Sequence, residues 1–336
     1  MCGRLGRERH SFMSDHLVDP ELRPLLELIP TISLTPEILP AIRAGGIPFP
    51  SDPQAVEAVI TQVRKIPGPK AAPDIGISIY TPRSRNGHLP CVFHIHGGGF
   101  VRGSSAELSP VHQRLAYQAN CVIVSVDYRL APETRFPGAI EDCYAALGWV
   151  IANSDELAID SSRIGVMGES AGGGLAAALA LLVRDRSEYS LSFQHLIYPM
   201  LDDRTCVADN PHPYAGHFIW NPQSNAFGWS SLLGVPPGSP GVSPYAAAAR
   251  ANDLAGLPPT YIATGGLDLF LEEDMEYARR LMRHGVPVEL HVYPGAYHVF
   301  NIAPEAQVAI NARRDSIAAL KRALHPASLT IESSSK

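Results

Sequence analysis

The sequence predicts an α/β fold: a doubly wound, mostly parallel sheet with helices on both faces and an added helical cap. Three observations carry this expectation. Short apolar runs alternate with longer amphipathic or small-residue stretches along most of the chain, as strands alternate with crossover helices. The 336 residues are 46% hydrophobic, ample for one large core. Glycine-rich turns follow several apolar runs, at the carboxyl ends of strands where such sheets place their chemistry.

Residues 1–12 read unlike folded sequence and are expected as a disordered extension, which leaves Met1 and Met13 both as candidate starts. Arg4, Arg7 and Arg9 have no apolar stretch behind them, so they do not make a secretory signal. Residues 13–50 are proline-rich with short amphipathic pieces such as Leu22 to Ile29, and are expected as an N-terminal cap segment. The main domain is expected over 51–325. It opens with strands around Val63–Ile66 and Ile77–Tyr80, then strand Cys91–His96, helix Glu107–Gln118, strand Cys121–Asp127, helix Pro137–Asn153, strand Arg163–Met167 and helix Ala171–Arg186. The pattern breaks between Asp202 and Pro244, where Phe218, Trp220, Phe227 and Trp229 sit among prolines. A long aromatic-rich excursion at a strand's carboxyl end suggests a lid, about 203–235. A surface loop packing its aromatics inward is the plainer alternative. Alternation resumes with strand Pro259–Ala263, helix Leu271–His284, strand Val288–Tyr293 and helix Pro304–Leu324. The serine-rich residues 326–336 are expected as a disordered tail.

The most informative stretch is Gly168-Glu-Ser-Ala-Gly172, with the strand Arg163–Met167 before it and a small-residue helix after it. Strand, sharp turn and helix make G-x-S-x-G a nucleophile elbow. The flanking glycines remove side chains that would collide, and Oγ of Ser170 is held at a helix N-terminus. The amide of Ala171 then points to where an oxyanion would form. An independent signal lies upstream: His96-Gly-Gly-Gly99 follows the apolar run Cys91–Ile95. A glycine run there lets backbone amides approach a ligand with no Cβ in the way.

A serine hydroxyl needs a general base, and the base needs an orienting carboxylate. In this architecture the order along the chain is serine, acid, histidine. His298 fits the base, since it follows the strand Val288–Tyr293 and the turn 294–297. His291 lies inside that strand, His195 opens another and His284 ends a helix. His212 and His217 lie in the excursion, within reach of a substrate but without a strand-end setting. Asp268 fits the acid, on the loop after Pro259–Ala263, with Asp202 as the reserve. Glu272, Glu273 and Asp274 open the next helix and are expected to complement its dipole.

Together, His96-Gly-Gly-Gly99, Asp127-Tyr-Arg-Leu-Ala-Pro-Glu133, Gly168-Glu-Ser-Ala-Gly-Gly173, Asp268 and His298 resemble the hormone-sensitive-lipase-like family of α/β-hydrolases, the bacterial family IV carboxylesterases. The resemblance runs from Met13 to the end of the last helix. It implies an α/β-hydrolase fold with Ser170 as nucleophile, His298 as base and Asp268 as acid. It implies the amides of Gly98, Gly99 and Ala171 as oxyanion donors. Two positions depart from the family pattern. Glu169 stands where the family usually has aspartate, and Asp268-Leu-Phe-Leu-Glu272 lacks the usual proline and arginine after the acid. Arg129, within the second motif, is expected to pair with a carboxylate and brace the loops beside the elbow.

The net charge of −6 and the lack of a basic stripe speak against a nucleic-acid partner. No apolar run approaches the roughly 18 residues that span a membrane. The five cysteines are scattered and odd in number, and are expected as reduced thiols in a cytoplasmic protein. His94 and His96 alternate on a strand, but no third ligand clusters with them in sequence, so no metal and no cofactor is expected. The expected function is hydrolysis of short-chain acyl esters through a Ser-His-Asp triad and an acyl-enzyme, with a small-molecule ester as partner. A homodimer is left open. The alternatives are an amidase or acyltransferase with the same triad, or a non-catalytic small-molecule receptor on this fold.

Overall fold

The computed structural model describes residues 14–46 and 49–326. The extension expected at 1–12 and the tail expected at 326–336 lie outside the described residues, Pro326 excepted. Three short helices come first: α1 (Arg23–Leu28), α2 (Leu39–Ala44) and α3 (Pro53–Ala58). Then follow β1 (Val59–Ile66), β2 (Ile75–Pro82), β3 (Leu89–Ile95), α4 (Ser109–Ala119), β4 (Val122–Asp127), α5 (Gly138–Ala152), β5 (Ile159–Glu169) and α6 (Ala171–Arg186). The chain closes with β6 (Gln194–Ile197), α7 (Pro222–Leu233), β7 (Thr260–Gly265), α8 (Leu271–Arg283), β8 (Val288–Tyr293) and α9 (Gln307–Leu324).

The eight strands form one sheet in the order β1-β2-β4-β3-β5-β6-β7-β8. The first two pairings, β1 with β2 and β2 with β4, are antiparallel. From β4 onward every pairing is parallel. This is the α/β-hydrolase fold. Every residue of β3 is buried, as expected for a central strand covered on both faces. Neighbouring residues divide between the faces. Phe93, Val124, Val166 and Ile262 pack with α5, α6 and α8. Val92, Ile123, Met167 and Tyr261 pack with α4 and α9. The strand β8 is the edge, and most of it is only partly buried.

Two differences from the sequence expectation have identifiable physical reasons. Helix α9 starts at Gln307 rather than Pro304, because Arg313 reaches back to the carbonyls of Asn301, Ala303 and Pro304 and holds them as a loop. The aromatic excursion contains a regular helix, α7, capped by Asn221 accepting from Ser224 N–H and stopped by left-handed Gly234. Its Trp229 is fully buried against Phe100, with ring centroids 5.0 Å apart, and belongs to the main core. Phe218 likewise packs inward, on Tyr297.

Candidate active site

Ser170 sits at the turn between β5 and α6 with φ 55° and ψ −124°. That is a costly conformation for a residue with a side chain, and it persists only where surrounding structure imposes it. A Cβ on Gly172 would strike the carbonyl oxygens of Ile95 and His96, so the helix can start this close to β3 only with glycine there. The serine is held from behind by its own N–H donating to Ile197 O at 2.9 Å, and its carbonyl accepts from Met200 N–H at 2.9 Å.

The other two predicted side chains meet it from neighbouring strand ends. Asp268 follows β7, is fully buried, and accepts from Phe270 N–H at 3.0 Å through Oδ1. Its Oδ2 lies 2.8 Å from Nδ1 of His298, and Nε2 of His298 lies 2.9 Å from Oγ of Ser170. The imidazole is enclosed by rings: Tyr198 at 4.7 Å, Phe270 at 5.2 Å and Trp220 at 6.1 Å between centroids. The hydroxyl of Tyr198 is in turn bonded to Asn301 Oδ1 at 2.8 Å. Such packing leaves the base little freedom to turn.

The glycine loop lies directly against the elbow. A Cβ on Gly97 would come within 2.8 Å of Glu169 O, and one on Gly99 would strike the Trp220 ring. Gly98 and Gly99 have φ of 120° and 61°, which glycine adopts at little cost. The amides of Gly98, Gly99 and Ala171 donate to no acceptor among the described residues. His96 is bonded within the loop: Nδ1 bonds Gly97 O at 2.8 Å and the ring stacks on Tyr128 at 4.3 Å. Burial holds its pKa down to about 4, so at neutral pH it is an uncharged donor that shapes the loop.

The remaining sequence candidates fall elsewhere. Asp202 pairs with Arg204 at 2.7 Å. His195 bonds Ser316 Oγ at 2.8 Å and is held neutral by burial, its pKa down to about 3. His291 bonds Glu289 on the edge strand. His212 accepts from the N–H groups of Tyr214 and Ala215, and His217 bonds Ser14 Oγ at 2.7 Å; neither lines the cavity. His94 bonds Ser125 Oγ and Glu169. Among the described residues no group of three or more His, Cys, Asp or Glu is placed to hold a metal ion. Arg129 grips the fully buried Asp142 through Nε and Nη2 at 2.8 and 2.7 Å, so it braces the loop after β4.

Glu272, Glu273 and Asp274 all fall in the first turn of α8, as expected, but Glu273 and Asp274 are buried there. Glu273 accepts from the N–H groups of Leu201 and Asp202 and from Thr205 Oγ1, which ties the loop after β6 to α8. Burial raises both carboxyls well above their ordinary range. Only Glu272 is exposed. Three consecutive acids read as a solvated first turn, and nothing local in the sequence says that two of them face inward.

A cavity of about 510 Å³ opens on Ser170 and His298. The N-terminal segment roofs it with Ile29, Ile32 and Leu34, beside Ile219 and Trp220 of the aromatic excursion. The two roofing pieces are bonded to each other. Leu34 N–H donates to Ser224 Oγ, Ile219 N–H to Thr31 Oγ1, Asn221 Nδ2 to Ser33 Oγ, and Ser224 Oγ to Ile32 O. Arg43 anchors the segment to the main domain through Glu133 and the carbonyls of Val101 and Ala131.

With this geometry in view, the comparisons with known proteins are decisive. Residues 92–302 match the family model described as the alpha/beta hydrolase fold. The chain belongs to the hormone-sensitive-lipase-like carboxylesterases of that superfamily. It is 35% identical over 317 residues to the carboxylesterase NlhH of Mycobacterium tuberculosis, covering 92% of this chain and 97% of that one. It is 32% identical over 329 residues to the esterase LipI of the same organism, covering 92% and 96%. Among solved structures, it resembles a bacterial heroin esterase with a TM-score of 0.84 at 37% identity, covering 92% of this chain and 98% of that one. Family members thus share with this chain nearly its whole length, the roofing segment included.

Proposed function

We propose that this protein is a serine carboxylesterase that hydrolyses short-chain acyl esters. The observation that carries the proposal is the hydrogen-bonded run from Asp268 through His298 to Ser170, beside the amides of Gly98, Gly99 and Ala171, which donate to no acceptor among the described residues. With Nδ1–H donated to Asp268, the imidazole presents an unprotonated Nε2 to the serine hydroxyl. Nε2 takes the proton as Oγ attacks the ester carbonyl. The oxyanion of the tetrahedral intermediate accepts hydrogen bonds from the three amides, which are already oriented and need no reorganisation. Collapse breaks the ester C–O bond, and Nε2–H protonates the departing alkoxide. A water then repeats the sequence on the acyl-enzyme and releases the carboxylic acid and the free serine. No step calls on a cofactor.

The substrate range follows from the roof. The cavity is apolar over most of its lining and closed on one side by the N-terminal segment and Trp220, which together act as a cap of residues 13–50 and about 203–235. Such a pocket favours acyl chains of about two to six carbons over long-chain triglyceride, because an added methylene helps only while space remains for it. A cytoplasmic setting suits the buried free thiols of Cys91, Cys121 and Cys143, and no helix among the described residues is long and apolar enough to cross a membrane. The test is covalent trapping. A p-nitrophenyl alkylphosphonate should add to Ser170 with one equivalent per chain by peptide mass spectrometry, and p-nitrophenyl butanoate should protect. Labelling of another residue, with Ser170 unmodified, would refute the assignment.

A further inference from the structure

The cavity does not end at Ser170. It continues past Met167 and Ile197 along the sheet face and runs out between α4 and α9. Glu107 and Leu108, just before α4, and Val111 and Arg114 in its first turns line it in succession, so this arm follows the start of the helix. Its walls are mostly apolar until the outer end, where Arg114 of α4 and Arg313 of α9 both line it.

Neither guanidinium has a carboxylate partner among the described residues. Arg313 donates only to neutral carbonyls, those of Asn301 and Ala303 at 2.6 Å and that of Pro304 at 2.9 Å. Arg114 makes no hydrogen bond or ion pair among the described residues. Several other arginines of this protein find acids, Arg43 with Glu133, Arg64 with Glu156, Arg129 with Asp142 and Arg250 with Asp203, whereas Arg83 and Arg280 also donate to backbone carbonyls. The two carboxylates in the cavity wall are already engaged, Glu107 with Arg102 and Glu169 with His94. Both arginines are half-buried. Burial, and after it the charge of Arg114, pull the pKa of Arg313 down. The chain as a whole carries a net charge of −6, so attraction for an anion here is local and not a property of the overall field.

We propose that this outer arm receives an anionic end group, so that the preferred substrates are esters with one arm ending in a carboxylate several bonds from the ester carbonyl. A carboxylate reaching the pair would gain charge-assisted hydrogen bonds from the unpaired guanidinium of Arg114 and relieve its repulsion with Arg313. The apolar stretch before it would hold the intervening methylenes. The proposal rests on the ester-hydrolase reading of Ser170 and names its substrate class.

Two series separate the ways a carboxylate can be presented. Monoethyl esters of succinate, glutarate, adipate, pimelate and suberate carry it on the acyl arm, and ω-carboxyalkyl butanoates carry it on the alcohol arm. Each is compared with the neutral ester of equal length. In the wild type, kcat/KM should favour the anionic ester by roughly tenfold in one series, peak at one length and fall with added salt. Arg114→Gln should bring that ratio close to one, and Arg114→Glu should invert it. Calorimetric binding of monoethyl adipate and monoethyl suberate to Ser170→Ala, with and without Arg114→Gln, puts the same question without turnover. A ratio at or below one for every length in both series, or the same ratio and the same binding in Arg114→Gln, would overturn the proposal. Hydrolysis of neutral p-nitrophenyl butanoate reports separately on the ester-hydrolase reading.

Discussion

Glu169, the residue immediately before the elbow serine, is bound through Oε2 to Nε2 of His94 at 2.8 Å. The bond links the end of β5 to the strand that carries the glycine loop. The two halves of the candidate site, nucleophile and amide donors, are therefore joined by a side-chain contact as well as by the parallel pairing of β3 with β5. Nδ1 of the same His94 is bonded to Ser125 Oγ on β4, so the tie extends over three adjacent strands.

Breaking that tie should loosen the site while leaving the three triad side chains and the amide donors in the chain. Glu169→Ala leaves the buried Nε2 of His94 unpartnered, a loss of about 1–3 kcal/mol. A lower urea midpoint is expected, with kcat reduced more than KM is changed, because the amides and the serine lose their fixed spacing. Glu169→Gln keeps an acceptor at the same place and should recover most of both. Equal behaviour of the two variants would show that the hydrogen bond has no part in positioning.

A pH effect follows from His112. It is buried in α4 against the rings of His94 and Tyr80, at 4.2 and 5.2 Å, and among the described residues neither of its nitrogens has a partner. Burial lowers its pKa well below the ordinary 6.5, and the neighbouring His94 and His96 add to the shift. Its folded-state pKa lies below the unfolded one, so the unfolded chain binds the proton more readily. Its contribution is complete above pH 6.5 and is lost as pH falls below that value. Glu273 and Asp274 oppose this trend, since their raised values favour the folded state in acid. The comparison with His112→Phe isolates the histidine. At pH 8 the variant should be as stable as the wild type or more so. Its advantage in urea denaturation should then grow by up to about 1.4 kcal/mol per pH unit below pH 6.5. A difference independent of pH would contradict the assignment.

The roof makes a prediction about substrate size. Removal of residues 1–46 deletes Ile29, Ile32, Leu34 and Ile42 from the cavity lining. It also strips Ser224 and Asn221 of their partners across the roof. Activity on p-nitrophenyl butanoate should fall at least tenfold, the length preference should flatten, and binding of a hydrophobic dye should rise. Unchanged kinetics would remove the segment from the cap. Removal of residues 1–12 alone should change none of these.

Much of this was legible because the chemistry sits at strand ends. An apolar run, a glycine turn and a small-residue helix around Ser170 specify a local geometry, and serine, acid and histidine each follow a separate strand. Parallel pairing of β5, β6 and β7 and of β7 with β8 then brings three distant segments to one edge. Burial that arises only between elements was not legible. Glu273 and Asp274 look like a solvated helix start until the loop after β6 folds onto them. Trp220 and Trp229 stand nine positions apart in one aromatic run, yet one borders the cavity and the other fills the core, because α7 turns between them. The arm ending at Arg114 and Arg313 has no sequence signature at all. It exists because two helices almost 200 positions apart in the chain converge on one face of the sheet.

The central claim is that His298 is the base that activates Ser170. The most direct test is kcat/KM for p-nitrophenyl butanoate in His298→Ala, with folding verified by circular dichroism and the urea midpoint. A loss of roughly three orders of magnitude or more in a folded protein is expected, and turnover within tenfold of the wild type would contradict the account.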